Sequence, residues 1–397
     1  MPDLSFQNTE IAFSHKSTGE LKEAKMLFKS FNYPWLLKYG DSMAHIVIKL
    51  GLKSIIKNTI FKQFCGGETI SECESRIQSL AKSGIGTILD YSVEGETIES
   101  VFVETCNEIK RTIEKASGNN QIPFSVFKVT GIVSFDALEK ASSILLKNPS
   151  ASSNLILENL SSRAAEDWRL GVARFFDIAN HAFKHQVRLF VDAEESWIQP
   201  AIDRLAEEGM VLFNKDQAIV FNTVQLYRHD RLDYLKQMIL STTGYLGFKL
   251  VRGAYMEKER ARAKEFGYTD PIQPNKAATD ADYNAAVQLC LENHARVSVC
   301  IGTHNEESSL LGTQIQAAQN IASNSSHVFY SQLLGMSDHI SYNLAHAKYN
   351  VCKYVPYGPV SAVIPYLTRR AQENSGMAGQ MGRELSLINS EIIRRKS

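Results

Sequence analysis

A (βα)8 barrel preceded by a helical region is the α/β fold this 397-residue sequence predicts, and three observations carry it. Eight β-branched or apolar runs recur between residues 86 and 355, each followed by a stretch with helical periodicity. A doubly wound sheet also alternates, but it seldom needs eight strands. No G-x-G-x-x-G follows any of the runs, so the dinucleotide fingerprint of that alternative is missing.

The elements follow in order. Residues 1–80 read as a helical arm, with Ser14 and Ser17 near its first turns and the aromatic run Phe31-Asn32-Tyr33-Pro34-Trp35 further on. Gly66-Gly67 marks a break. The strand runs are 86–91, 123–129, 187–192, 218–224, 247–252, 296–302, 327–332 and 350–355. Between and after them, helical patterns cover 98–116, 134–147 with 155–184, 197–208, 228–242, 279–294, 305–322, 338–346 and 361–374. The barrel thus occupies 81–376. Gly376, Gly379 and Gly382 suggest a loop, and the tail to 397 reads as a final charged helix, the domain boundary falling at 377.

Composition narrows the function classes. Lysine plus arginine equals aspartate plus glutamate at 43 each, which gives no basic field for nucleic acid. No apolar run of about 18 residues suggests a transmembrane helix. Asp3, Glu10 and Glu20 come early, unlike an arginine-rich transit peptide, and no apolar signal core precedes them. Six dispersed cysteines (65, 73, 106, 290, 300 and 352) lack C-x-x-C spacing and read as buried thiols of a reducing compartment. A soluble intracellular protein is the expectation.

Chemistry in such a barrel sits at the carboxyl ends of the strands. Those ends present Glu94, Lys128, Asp192, Gln225 with Tyr227, Tyr255, Thr303-His304-Asn305, Leu333 and Tyr354, in that order. Three cations (Lys128, Arg369, Arg370), the carboxylates Glu94 and Asp192, three tyrosines and one leucine describe a pocket for a small carboxylate with a hydrocarbon body. At about 100° per residue, Tyr366, Arg369, Arg370 and Glu373 share one helix sector, and Ile364, Leu367 and Ala371 lie opposite. Two guanidinium forks beside a phenol suit bidentate grip of a carboxylate; for an isolated segment, a solvated amphipathic face is the simpler account. His181 and His185 have zinc-ligand spacing, but Ala182 replaces the H-E-x-x-H glutamate and no third ligand is placed, so no metal is expected. No G-x-S-x-G elbow occurs and no side chain stands out as nucleophile or general base, which points to a cofactor for the hard step.

Lys249-Leu-Val-Arg-Gly-Ala-Tyr255, Gly302-Thr-His-Asn305, Gln332-Leu-Leu-Gly-Met336, and Tyr354-Val-Pro-Tyr-Gly-Pro through Arg369-Arg370-x-x-Glu373-Asn374 closely resemble the proline dehydrogenase family, in order from about residue 85 to 375. The resemblance implies a distorted (βα)8 barrel with non-covalent FAD. It implies oxidation of L-proline to Δ1-pyrroline-5-carboxylate and transfer of the electrons to a membrane quinone through peripheral contact. Arg369, Arg370 and Lys128 would bind the carboxylate, and Glu94 would pair with Arg369. Tyr255, Tyr354, Tyr366 and Leu333 would pack the ring, with Asp192 in support. Gln225, Val251, Thr303, His304 and Glu373 match flavin-side positions. Lys249 stands where bifunctional relatives carry arginine, and Lys276 is assigned to the FAD phosphates. Hydroxyproline dehydrogenase is the near alternative, with a non-flavin barrel enzyme or an amino-acid-binding barrel further off. Location is expected to be cytoplasmic at the inner membrane, with mitochondrial the alternative.

Overall fold

The computed structural model describes residues 4–31, 53–92, 98–376 and 378–396, with the side chains of 371–381 outside that description. Glu94 and the side chain of Glu373 therefore lie outside the described residues. Eight parallel strands close a barrel in sequence order: β1 Ile85–Tyr91, β2 Phe124–Lys128, β3 Arg188–Asp192, β4 Val220–Gln225, β5 Leu246–Val251, β6 Val297–Gly302, β7 Val328–Leu333 and β8 Val351–Tyr357. Every residue of β4 and of β8 is buried, as expected of parallel strands covered on both faces. Two compact units divide the chain, residues 1–93 with 331–397, and residues 94–330.

In the first unit, β1 pairs with β8 from Ile85 opposite Val351 to Tyr91 opposite Tyr357. The helix Thr18–Ser30 opens on a capping box, Ser17 accepting from the Glu20 amide while Glu20 accepts from the Ser17 amide. Leu21, Ala24 and Phe28 fall on its inner face at helical spacing. They join Phe13, Phe31, Phe64, Val363, Tyr366 and Leu367, with Leu387, Ile388 and Ile392 of the last helix, in one apolar cluster. Phe28 meets both Phe31 and Phe64 edge-on, at 6.1 and 6.3 Å.

In the second unit, β2 through β6 pair successively in parallel. Phe124 stacks on Phe190 at 4.2 Å in its core, and Phe221 meets both rings edge-on at 5.5 Å. Trp168 is fully buried on the long helix Ser162–Lys184, its indole N–H donating to the Ser153 carbonyl at 3.0 Å.

The structure corrects three sequence expectations. Gly379 and Gly382 lie inside the helix Ala378–Arg394 rather than in a loop. Tyr354 sits mid-strand, because β8 continues to Tyr357, whose carbonyl accepts from Ser92. A helix at Met256–Phe266 went unread because its residues give it no apolar stripe; it buries only Glu259 and Ala263.

Candidate active site

The site-bearing helix of the first unit, Val360–Gly376, follows β8 across Gly358, whose φ of 143° a side chain would resist. Its sequence periodicity suggests water for Tyr366 and Arg370. Instead Tyr366 is 6% and Arg370 8% exposed, alongside Ile364 and Leu367 on the opposite side. The Arg370 guanidinium lies 5.1 Å from the centroid of the Tyr366 ring, while Arg369 is half-buried. A guanidinium withdrawn from water at such cost needs anionic or aromatic company. The solvated-face account therefore fails for Arg370. Leu333, at the end of β7, packs against the same cluster that holds Tyr366, and Tyr354 is buried within β8.

The second unit gathers its charge at adjacent strand ends. Lys128 and Asp192, last residues of β2 and β3, stand opposite one another in register. Lys128 Nζ is 3.6 Å from one Asp192 carboxylate oxygen, and Lys249 donates to the other. One carboxylate thus balances two ammonium groups, and the Lys249 ammonium also lies 5.4 Å from the Phe190 ring centroid. Lys249 is 5% exposed, so its position depends on that partner.

Three further residues organise these ends. Arg252 donates to Asp280 at 2.8 Å, to the Thr303 hydroxyl at 2.6 Å and to the Ser308 hydroxyl at 2.9 Å, and lies 4.3 Å over Tyr283. Glu194 accepts from the Thr130 amide at 3.0 Å, and Gln225 donates to the Glu194 carbonyl at 2.7 Å. Burial pushes the Glu194 carboxyl up to about 7, against the Thr130 hydrogen bonds. Glu259 accepts from the Ser196 amide at 2.6 Å and its hydroxyl at 2.5 Å, seating the helix Met256–Phe266 that begins just after half-buried Tyr255. Gly253, with φ 138°, has no room for a Cβ, which would stand 2.4 Å from the Tyr227 ring.

The first unit thus presents Leu333, Tyr354, Tyr366, Arg369 and Arg370. The second presents Lys128, Asp192, Gln225, Lys249, Val251, Tyr255, Thr303 and His304, the last half-buried. Lys276 is exposed and paired with Asp280. Sequence reading missed Arg252, Glu194 and Glu259 as organisers. Arg252 stands inside a quoted motif, but its partners are 28 to 56 residues away. His181 pairs with Glu114 at 3.2 Å and His185 meets the Ser117 hydroxyl at 3.2 Å; among the described residues no cluster suits a metal.

Comparison with known proteins sets this geometry in a family. The family model described as proline dehydrogenase matches residues 73–383. The chain is 33% identical to "Proline dehydrogenase 1, mitochondrial" of Dictyostelium discoideum, over 98% of its own length and 74% of that protein. It is 32% identical to "Hydroxyproline dehydrogenase" of Xenopus laevis, over 99% of this chain and 90% of that one. In fold it resembles crystalline proline utilization A from Bdellovibrio bacteriovorus, with a TM-score of 0.71 at 18% identity, covering 94% of this chain but only 40% of that one. With the model spanning most of its length, the chain belongs to the proline dehydrogenase family.

Proposed function

We propose that this protein oxidises L-proline to Δ1-pyrroline-5-carboxylate, with FAD as its cofactor and a quinone as the electron acceptor. The single observation that carries this reading is the buried Arg370 guanidinium beside Tyr366, on the helix that follows β8. A planar fork of donors in a desolvated setting matches a carboxylate bidentately, and an imino acid's ring requires the apolar neighbours Leu333, Tyr354 and Tyr366 supply. Arg369 assists Arg370 in this reading; Lys128 and Tyr255 are the second unit's candidates for the substrate. Asp192 keeps Lys128 oriented.

A flavin fits the donors of the second unit. Gln225 ends β4, Lys249 lies two residues before the end of β5 and Thr303 follows β6, and they supply amide, ammonium and hydroxyl groups. A buried Arg228 guanidinium nitrogen has no hydrogen-bond partner among the described residues. Those three, with Val251 and His304, would hold the isoalloxazine side, with Lys276 toward the phosphates. Bound there, FAD supplies a two-electron acceptor. The protein's own work is to bind and orient the substrate with its amine neutral and its ring held still, and positioning of this kind removes several kcal/mol of barrier.

Quinones are lipid-borne, so the reading includes peripheral membrane contact. Among the described residues no helix is long and apolar enough to cross a membrane. The mitochondrial label of the Dictyostelium relative supports the mitochondrial alternative over the cytoplasmic one.

The hydroxyproline reading is kept because of the Xenopus relative. Turnover with an artificial electron acceptor decides between them: L-proline should exceed trans-4-hydroxy-L-proline in kcat/KM by tenfold or more, since buried Tyr354 leaves little room beside the ring. The reverse order would transfer the assignment to hydroxyproline.

A further inference from the structure

Lys353 is a fully buried lysine in the middle of β8, directly before Tyr354, and the proposed chemistry leaves it without a task. Adjacent strand residues point to opposite faces, so Lys353 faces away from Tyr354. Its ammonium reaches the Asp338 carboxylate at 2.9 Å, the Met336 carbonyl at 2.5 Å and the Leu333 carbonyl at 3.3 Å. Three donors on one ammonium therefore tie β8 to both ends of the turn that follows β7.

Asp338 is held from the other side. Lys16, between the first two helices of the chain, donates to its second oxygen at 2.6 Å. His15 lies 3.5 Å from the same oxygen and stacks on Tyr342 at 3.9 Å. Burial alone would raise the Asp338 carboxyl, but Lys16, Lys353 and His15 overcome it and hold the group well below the ordinary carboxylate range.

The turn itself needs this support. Gly335 has φ 76°, and Ser337 adopts φ 51°, a conformation a non-glycine residue takes only when its surroundings impose it. Gln63 donates to the Gly335 carbonyl at 2.9 Å, the Ser337 amide donates to buried Glu384, and the Leu334 amide donates to the Tyr354 carbonyl at 2.8 Å. That last bond links the turn to the residue assigned to the substrate ring. All of these groups belong to the first unit.

We infer that Lys353, Asp338 and Lys16 form a positioning bracket that fixes the Leu333–Ser337 turn, and through it the Leu333 side chain and Tyr354, for recognition of the substrate's ring. The inference rests on the proposed function for what is recognised, but the bracket itself is a property of the turn. Lys353 and Lys16 act through Leu333 and Tyr354; neither touches substrate. The Lys353 contact with the Leu333 carbonyl couples the ammonium to the last residue of β7, which carries the ring-packing side chain.

The test compares purified flavin-loaded wild type with Lys353→Met, Lys16→Met and a control, Ile156→Ala, which opens a cavity under the helix Ser153–Asn159 of the second unit, away from the turn. Lys353→Met should raise KM for proline about five- to twentyfold and Lys16→Met two- to fivefold, with kcat per bound flavin within twofold of wild type. The amides of Leu334 and Met336 should exchange faster with solvent in both. Ile156→Ala should lower Tm with KM unchanged. Wild-type KM in the two lysine variants, or an equal rise in Ile156→Ala at matched Tm, overturns the inference. Should Lys353→Met fail to fold, Lys16→Met carries the same two readouts. Should wild type not turn over proline, the functional reading falls by itself, and unchanged exchange at Leu334 and Met336 in the variants would still sink the bracket.

Discussion

Arg370 and Glu194 show how burial assigns different tasks to two charged side chains. Arg370 keeps its charge whatever its setting, so its burial beside Tyr366 is tolerable only if an anion or an aromatic face accompanies it. Truncating it to alanine should cost on the order of 3–5 kcal/mol of proline binding, if the ion pair is desolvated. A dissociation constant within threefold of wild type, measured by flavin absorbance perturbation, would remove the clamp. Glu194 takes the other course: burial favours its neutral form and moves its carboxyl up to about 7. A carboxyl raised on folding contributes its full stability below its unfolded pKa, near 4.5, and loses it as pH climbs through about 7. Denaturant midpoints should therefore fall between pH 5 and 7, and Glu194→Gln should flatten that fall. An identical pH profile in the variant would show that another group is responsible.

At the scale of elements, the strands were legible because each is a short β-branched or apolar run, and all eight end within two residues of expectation. β4 departs most at its start, two residues late: the Asn214 side chain holds the Ile219 and Val220 amides there, and the strand begins at Val220. The helix Met256–Phe266 was invisible for a physical reason: hydrophobic periodicity detects apolar faces, and this helix docks through a carboxylate. Glu259→Ala removes the acceptor for both Ser196 donors. It should leave global stability lowered by about 1–3 kcal/mol and should speed amide exchange across 256–266 selectively. Uniform protection in that variant would mean the helix is held by other contacts. The candidate site residues were legible where one helix or one strand end carries them, as with Tyr366 and Arg370. They were not legible where pairing spans the chain, as with Lys16 and Asp338, 322 residues apart.

Across the molecule, the two units share a logic: each carries its candidate site residues on helices and strands and fixes them with contacts drawn from elsewhere in its own sequence. The first unit does so with an apolar cluster formed by the opening and closing helices. The second does so with Asp192 serving two lysines and Arg252 serving three acceptors. Both arrangements favour positioning over acid–base chemistry, as expected when a cofactor performs the oxidation. The most direct test of that account is an anaerobic titration of the purified protein with L-proline, followed by its visible absorbance. The account predicts flavin bands that bleach stoichiometrically as proline is added and return when a quinone analogue follows. A colourless protein, or flavin bands that proline leaves untouched, would contradict it.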